Sequence, residues 1–205
     1  MELAGGALTT LVSLRQVRPS DKWTLWEWRN SDRIRHVSTN DAEIPRQHHE
    51  AWFSRAHPAM RDRTILVESN GVPVGWFQIE NWDDQAKVGS WGIALGDPVR
   101  APAGLGKALP LLAHGHAFDR LEARRLTGRV LAHNAPMRHI LTQLGFVAVS
   151  QDETPLARAD GGTTTTIIYD VTRESWPDIR ENGLRYIPLG IRDDITRVMR
   201  EGIAE

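Results

Sequence analysis

The sequence has no cysteine, so disulfide bonds, thiolate metal sites and a cysteine nucleophile are all excluded. It also has no run of 18 uninterrupted apolar residues, and residues 1–14 lack the basic start and long apolar centre of a signal peptide. The first absence rules out acyl-cysteine chemistry. The second predicts a cytoplasmic protein with no membrane partner.

A charge excess of one sign is missing too. Lys and Arg number 25 against 26 Asp and Glu, a net charge of −1, and no long run of one sign occurs. This balance argues against a nucleic-acid partner. With 40% hydrophobic and 25% charged residues, the composition is that of an ordinary globular protein. We expect residues 1–205 to form one domain, with a core at about 12–171 and a helical C-terminal tail at 174–205.

Hydrophobic periodicity and turn signals predict seven strands with helices between them. The Asn70-Gly71 pair predicts a tight hairpin turn. Pro110 conflicts with the helical pattern around it, which predicts a kink or a later helix start. From Glu174 onward a weakly amphipathic pattern predicts a packing helix. The strands are predicted at 11–17, 64–68, 72–80, 87–95, 126–132, 146–150 and 163–171, and the helices at 23–28, 45–56, 109–121 and 134–144.

The segment Gly92–Leu121 is a strand, a glycine loop and a helix in that order. Free N–H groups and the helix dipole at such a junction suit a phosphate group. The loop Gly104-Leu105-Gly106 lacks the Walker spacing and the first glycine of the dinucleotide fingerprint, so the glycines alone identify no ligand. Gly89 and Gly92 lie inside the preceding strand, where glycine often marks a bulge or a closely approached backbone.

The order of strand, G-x-G loop, helix, strand ending at Asn134, helix and Gly145-Phe146 resembles the acetyl-CoA site of the GCN5-related N-acetyltransferase superfamily. The resemblance covers about residues 12–171. It implies an α/β fold with a mixed, mostly antiparallel sheet of about seven strands flanked by helices, and acetyl-CoA as cosubstrate. It also implies that the pantetheine arm lies between two splayed strands. The cofactor-binding residues that it implies are Ile93, Leu95, Gly104, Leu105, Gly106, Lys107, Ala108 and Asn134.

Two positions depart from the pattern of that superfamily. Ala101 stands where a Gln or Arg usually helps to hold the pyrophosphate. Leu141 stands where a tyrosine often protonates the departing thiolate, so the proton must come from water, from the ammonium formed in the reaction, or from a group such as His133.

The N-terminal half carries Trp28-Arg29-Asn30 and an I-x-x-x-x-H-x-x-W pattern from Ile44 to Trp52. These residues are similar to the nucleotide-sugar N-acetyltransferases of pseudaminic acid biosynthesis. That resemblance implies acetylation of the 4-amino group of a UDP-4-amino-4,6-dideoxy-sugar, of the UDP-4-amino-4,6-dideoxy-N-acetyl-altrosamine type, for flagellin glycans. The substrate-binding residues assigned on this basis are Arg29, Asn30, His49, Trp52, Asn81 and Ser90.

Several of these residues also have a purely structural interpretation. Arg29 and His49 fit a helix-end ion pair and a satisfied histidine as well as contacts to a nucleotide. The cluster of tryptophans is typical of a core, with at most Trp28, Trp52 or Trp82 forming a wall against the substrate.

Glu80 is the best-placed candidate for the general base, with a structural ion pair as the alternative and Asp83 in reserve. Backbone amides of the 92–95 strand would polarise the thioester carbonyl. His114 and His116, two residues apart on a helix, point in different directions, so we expect no metal site.

Two further functions stay open from the sequence. Ribosomal-protein and aminoglycoside acetyltransferases share the N-terminal pattern in looser form, so a protein N-terminus or a small amine is an alternative acceptor. Ala101 and Leu141 leave room for an acyl-CoA-binding module without activity. A homodimer is compatible with each of these functions.

Overall fold

A computed structural model describes residues 12–60 and 63–203, and for 56–60 the backbone alone. It contains a seven-stranded sheet in the order β1-β2-β3-β4-β5-β7-β6. Every neighbouring pair is antiparallel except β4 and β5, which are parallel. The predicted fold class is therefore confirmed. The strands are β1 (Val12–Gln16), β2 (Thr64–Ser69), β3 (Val72–Asp83), β4 (Val88–Leu95), β5 (Arg125–Leu131), β6 (Ala148–Ala157) and β7 (Thr163–Thr172).

Helices cover both faces of this sheet. Side chains alternate along a strand, so Leu66 and Trp76 face one layer while Ile65 and Phe77 face the other. The first layer holds α1 to α3 and the second holds α4 to α7 with the larger core. The helices are α1 (Lys22–Asn30), which follows a 3-10 turn at Pro19–Asp21, α2 (Asp32–His36), α3 (Arg46–Met60), α4 (Leu105–Asp119), α5 (Ala135–Leu144), α6 (Trp176–Arg185) and α7 (Leu189–Glu201).

The parallel strands β4 and β5 stay together for three residues only. Val88–Ser90 pairs with Arg125–Thr127, and along the described strands no pair follows. The indole of Trp91 lies across Gly128, where a Cβ atom would be 2.2 Å from the ring. The two strands thus diverge and leave a gap beside 91–95, as the resemblance to the acetyltransferases implies.

Local sequence signals located most elements correctly. Asn70 and Gly71 both have positive φ, +52° and +76°, as a tight hairpin turn requires. The later helix start expected from Pro110 is wrong, because α4 begins at Leu105 with Pro110 inside it. The missing proline N–H would have bonded to the carbonyl of Gly106 in the first turn, and the ring itself is buried. The short helix α2 was not predicted, and β6 extends well beyond the predicted 146–150.

The C-terminal segment forms two helices that pack into the main core. Trp176, Ile191, Ile195 and Val198 are buried there. Helix α7 also covers the open edge of β1, since Asp194 accepts from the N–H of Val12 at 3.1 Å and Arg197 donates to the carbonyl of that residue at 2.7 Å. Across the described part of the chain, no helix has the length and apolar character needed to cross a membrane.

Candidate active site

A cavity of about 270 Å³ lies between α1, α3 and the adjacent face of β2 and β3. It brings together four residues that the sequence predicts for the site from separate parts of the chain: Arg29, His49, Trp52 and Glu80. Its other lining residues are Leu25, Ile44, His48, Thr64, Trp76 and Gln78.

Glu80 lies on β3 opposite Ser90 of β4, close to the point where β4 leaves β5. Its Oε1 accepts a hydrogen bond from Nε2 of Gln78 at 2.6 Å. The carboxyl group opens onto the cavity but has protein around much of it, and this desolvation raises the pKa of Glu80. A carboxylate with a raised pKa is a stronger base, so the site suits proton transfer from an amine.

Asn81 and Ser90 belong to a bulge beside Glu80 rather than to the cavity wall. Asn81 has a φ of +49°, and the register of β3 and β4 shifts between Glu80 and Asp83. The Nδ2 of Asn81 donates to Oγ of Ser90 at 2.9 Å, and that hydroxyl lies 3.3 Å from the carbonyl of Glu80. Bulges of this kind often aim a side chain at an active site, and here the side chain beside it is Glu80.

Arg29 is an incompletely partnered cation in the cavity wall. Its Nη2 donates to the carbonyl of Asn40, while Nη1 is buried and has no hydrogen-bond partner. No carboxylate of the described residues forms an ion pair with it. Burial, and after it the positive charge of Arg35, lowers the pKa of Arg29. The carboxylate of Asp41 offsets part of this effect. Arg29 as a whole is half-buried, and its charge would stabilise an anionic group of a ligand at this position.

His49 is a satisfied buried histidine that also reaches the cavity. It is 4% exposed, and its Nε2 lies 2.7 Å from the carbonyl of Lys22. Nε2 must therefore carry the proton, and Nδ1 is left as an acceptor. Burial lowers the pKa of His49, so the ring is neutral at neutral pH. Its imidazole lies 5.3 Å from the ring of Trp52.

The remaining predicted residues of this half have structural contacts. The amide of Asn30 donates to the carbonyl of Ile44 at 2.9 Å and accepts from its N–H at 2.8 Å. Trp28 stacks on Trp76 and covers Gly96, and it does not line the cavity. Of the three tryptophans considered as a wall, Trp52 lines the cavity and is 41% exposed at its mouth.

Trp82 lies outside the cavity. Its Nε1 donates to Asp84 at 2.8 Å, and part of its ring packs against the main core.

Backbone groups of β4 face the gap between β4 and β5. A Cβ atom on Gly75 of β3 would lie 2.8 Å from the carbonyl oxygen of Ala94, so that carbonyl points toward β3. Successive residues of a strand direct their N–H and C=O groups to opposite sides. Ile93 and Leu95 therefore direct their N–H and C=O groups to the gap, where the resemblance implies the pantetheine arm. The carbonyl of Leu95 already accepts from Nη2 of Arg33 at 2.7 Å.

The glycine loop at the start of α4 has free donors at its two glycines. Gly104 has a φ of +91° and caps the helix, and neither its N–H nor that of Gly106 has an acceptor among the described residues. The N–H groups of Lys107 and Ala108 both bond to the carbonyl of Gly104, and that of Leu105 bonds to Pro102. The free donors for a phosphate are thus the amides of the two glycines.

Asn134 and His133 lie at the end of β5, across the gap from β4. Asn134 caps α5 through its Oδ1, which accepts from the N–H of Met137 at 3.2 Å. His133 has Nδ1 3.0 Å from Oγ1 of Thr164 and Nε2 3.0 Å from the carbonyl of His36. The roles of both residues toward coenzyme A stay predictions.

The two departures from the superfamily pattern are apolar contacts in the structure. Leu141 is fully buried in the core and Ala101 packs against its edge.

His114 lies among aromatic rings, and its Nδ1 is 2.7 Å from the carbonyl of Pro110, while His116 packs on Phe77. Among the described residues, no group of three or more His, Asp or Glu side chains is arranged to hold a metal ion.

Sequence reasoning missed Gln78 and Trp76, although the signal was present. Side chains two residues apart on a strand share a face, so Glu80 places Gln78 and Trp76 on the same side of β3. Thr64, Leu25 and His48 had no such signal. They reach the cavity because β2, α1 and α3 pack around this face of the sheet.

Comparison with known proteins gives a consistent result. The sequence model described as acetyltransferase (GNAT) domain matches residues 12–147. No curated protein is significantly similar in sequence. Among solved structures, spermidine N-acetyltransferase from Vibrio cholerae in complex with CoA and spermine is similar with a TM-score of 0.72 and 15% identity, over 82% of this chain and 98% of that chain.

Two further structures have the same fold. A GCN5-related N-acetyltransferase from Brucella melitensis has a TM-score of 0.66 and 18% identity, over 87% of this chain and 83% of that one. The yncA protein from Salmonella typhimurium, with its cofactor acetyl-CoA, has a TM-score of 0.63 and 18% identity, over 80% and 94% of the two chains. A spermidine N-acetyltransferase from Vibrio cholerae also forms a dodecamer.

Proposed function

Since this chain belongs to the acetyltransferase (GNAT) domain family, we propose that it acetylates the 4-amino group of a UDP-linked 4-amino-4,6-dideoxy-sugar. The chain is an N-acetyltransferase, and acetyl-CoA is its acetyl donor. The observation that carries the choice of acceptor is Arg29, a half-buried cation with one unpartnered guanidinium nitrogen, in the cavity that also holds Glu80.

The reaction is a direct transfer within a ternary complex. The neutral amine attacks the thioester carbonyl, so that the C–N bond forms and the C–S bond breaks. Glu80, or a water molecule bonded to it, takes the proton that the amine loses. Where Glu80 takes that proton, the departing thiolate is protonated by water or His133, and Glu80 later returns its proton to solvent. In the alternative route the ammonium group gives its one proton directly to the thiolate, and Glu80 takes none. An N–H group of the Ile93 to Leu95 backbone donates to the carbonyl oxygen as negative charge develops there.

Arg29, rather than the net charge of the cavity, favours an acceptor with an anionic group over a polyamine. Glu80 is the one carboxylate among the residues that line the cavity, so its formal charge and that of Arg29 cancel. A polyamine such as the spermine bound in the Vibrio cholerae structure would meet this cation without a set of carboxylates to offset it. A diphosphate suits the forked donors of arginine, and the exposed ring of Trp52 suits a sugar or a base.

Titration calorimetry with UDP tests this assignment, with coenzyme A bound so that the phosphate loop is filled. Loss of charge-assisted hydrogen bonds in Arg29→Ala should weaken UDP binding about tenfold or more. His49→Ala should weaken it as well, and neither change should alter the affinity for acetyl-CoA. Arg55→Ala, on the exposed side of α3, is the matched control.

The wild-type titration decides between the candidate acceptors. If UDP does not bind at millimolar concentration, the nucleotide-sugar assignment is wrong, and a protein N-terminus or a small amine becomes the better candidate. Turnover with any amine excludes a binding module without activity. A homodimer stays a prediction, which the mass of the protein in solution would test.

A further inference from the structure

Arg158 lies outside the cavity and outside every motif of the sequence, yet it is one of the most extensively bonded side chains in the molecule. It follows β6 at the tip of the hairpin to β7, where its N–H donates to the carbonyl of Gly162. Its side chain is 6% exposed and forms an ion pair with Asp41, with Nε 3.2 Å from Oδ2. The N–H of Ala159 also donates to that carboxylate oxygen, at 3.0 Å.

The guanidinium group of Arg158 holds the segment 36–41 by its backbone. Nη1 donates to the carbonyl of Ser38 at 2.7 Å and Nη2 to that of His36 at 2.9 Å. This segment belongs to the connection between α2 and α3, and residues 37–45 of that connection form neither helix nor strand. The five N–H donors of an arginine are fixed in one plane, so a single side chain can hold several carbonyl groups at once.

The same segment positions Arg29. The carbonyl of Asn40 accepts from Nη2 of Arg29, and that of Asp41 accepts from Nε of Arg35 at 2.9 Å. The direction of the Arg29 side chain therefore depends on where Asn40 lies. The position of Asn40 in turn depends on a contact with a hairpin about 120 residues away in the sequence.

We propose that Arg158 is a positioning residue for the acceptor, because it fixes the segment 36–41 whose Asn40 carbonyl orients the guanidinium of Arg29 in the cavity. The proposal rests on the proposed function, in which Arg29 binds an anionic group of the acceptor. Arg158 itself does not line the cavity. It should therefore affect the affinity for the acceptor and leave the binding of acetyl-CoA unchanged.

A double-mutant cycle between Arg158 and Arg29 tests this dependence. Arg158→Lys keeps the charge opposite Asp41 but loses the planar fork of donors, so UDP binding with coenzyme A present should weaken by about five- to tenfold. When Arg29 is already replaced by alanine, Arg158→Lys should weaken UDP binding no further. Arg158→Ala should weaken binding more than Arg158→Lys. Arg129→Lys, in an exposed ion pair with Asp152, is the control that should change neither affinity.

The outcomes separate this proposal from the proposed function. If wild type binds UDP and Arg158→Lys binds it equally well, the positioning role is wrong and the proposed function stands. An equal loss in both backgrounds also contradicts it, because Arg158 would then act independently of Arg29. If wild type binds inorganic pyrophosphate but not UDP, the nucleotide part of the proposed function fails, and the same cycle run with pyrophosphate still decides the role of Arg158. If wild type binds neither UDP nor pyrophosphate, both the proposed function and the positioning role of Arg158 are contradicted.

Discussion

The carboxylate of Glu80 is held in place by one hydrogen bond from Gln78 and opens onto the cavity. If it accepts the proton from the amine, Glu80→Gln should lower turnover at least tenfold with little change in the Michaelis constant for the acceptor. The pH profile gives a second measurement. The base works only when ionised, so kcat/KM should fall as the pH drops through the raised pKa of Glu80.

Asp83 provides the comparison for this experiment. Its Oδ1 accepts from the N–H groups of Gln85 and Ala86, both at 2.8 Å, so it stabilises the turn after β3. These bonds lower the pKa of Asp83, which makes it a weak base. Asp83→Asn should therefore keep its turnover. If Glu80→Gln is unaffected at neutral and alkaline pH while Asp83→Asn loses activity, the roles of the two carboxylates are reversed.

At the scale of the element, the junction of β4, the glycine loop and α4 determines where the phosphates of acetyl-CoA bind. A side chain at Gly106 would meet no close neighbour, since the nearest atom to a Cβ there is Cδ2 of Leu95 at 3.9 Å. A substitution at this position can therefore be accommodated by the fold. We predict that Gly106→Asp abolishes binding of coenzyme A, because a negative charge would lie beside the pyrophosphate.

Gly106→Asn, which has the same shape without the charge, should lose less affinity than Gly106→Asp. Calorimetry with coenzyme A measures both variants, and their melting temperatures show whether the fold is intact. An affinity unchanged from wild type in the Asp variant would mean that this loop does not bind the pyrophosphate.

At the scale of the whole molecule, the two C-terminal helices complete the core and reach the phosphate loop. Gly104 lies directly under Pro188, where a Cβ atom on the glycine would be 2.5 Å from the proline ring. Ile195 of α7 is fully buried in the main core. We predict that Ile195→Ala lowers the free energy of unfolding by about 2–5 kcal/mol.

Urea denaturation measures this effect, and Leu189→Ala supplies the control on the same helix. Leu189 is 78% exposed, so its loss should change the free energy of unfolding by about 0.5 kcal/mol or less. If both variants unfold at the same urea concentration as wild type, α7 is not part of the cooperative core of the molecule.

The sequence by itself determined the features that depend on neighbouring residues. The Asn70-Gly71 turn, the start of α5 after Asn134 with a proline in its first turn, and Gly145, which ends that helix, each follow from local backbone preferences. The order of these local signals was also enough to indicate the acetyltransferase family and the seven-stranded sheet.

Tertiary structure alone decided which side chains reach the cavity. Asn30 belongs to a motif that predicts a substrate contact, but its side chain holds the backbone of Ile44. Arg158 belongs to no motif, and its side chain holds the segment beside Arg29. A local pattern specifies the conformation of its own residues. A contact between residues that are 14 or 120 positions apart depends on strand register and on how the helices pack on the sheet. The residues next to each contact in the sequence do not specify either of these.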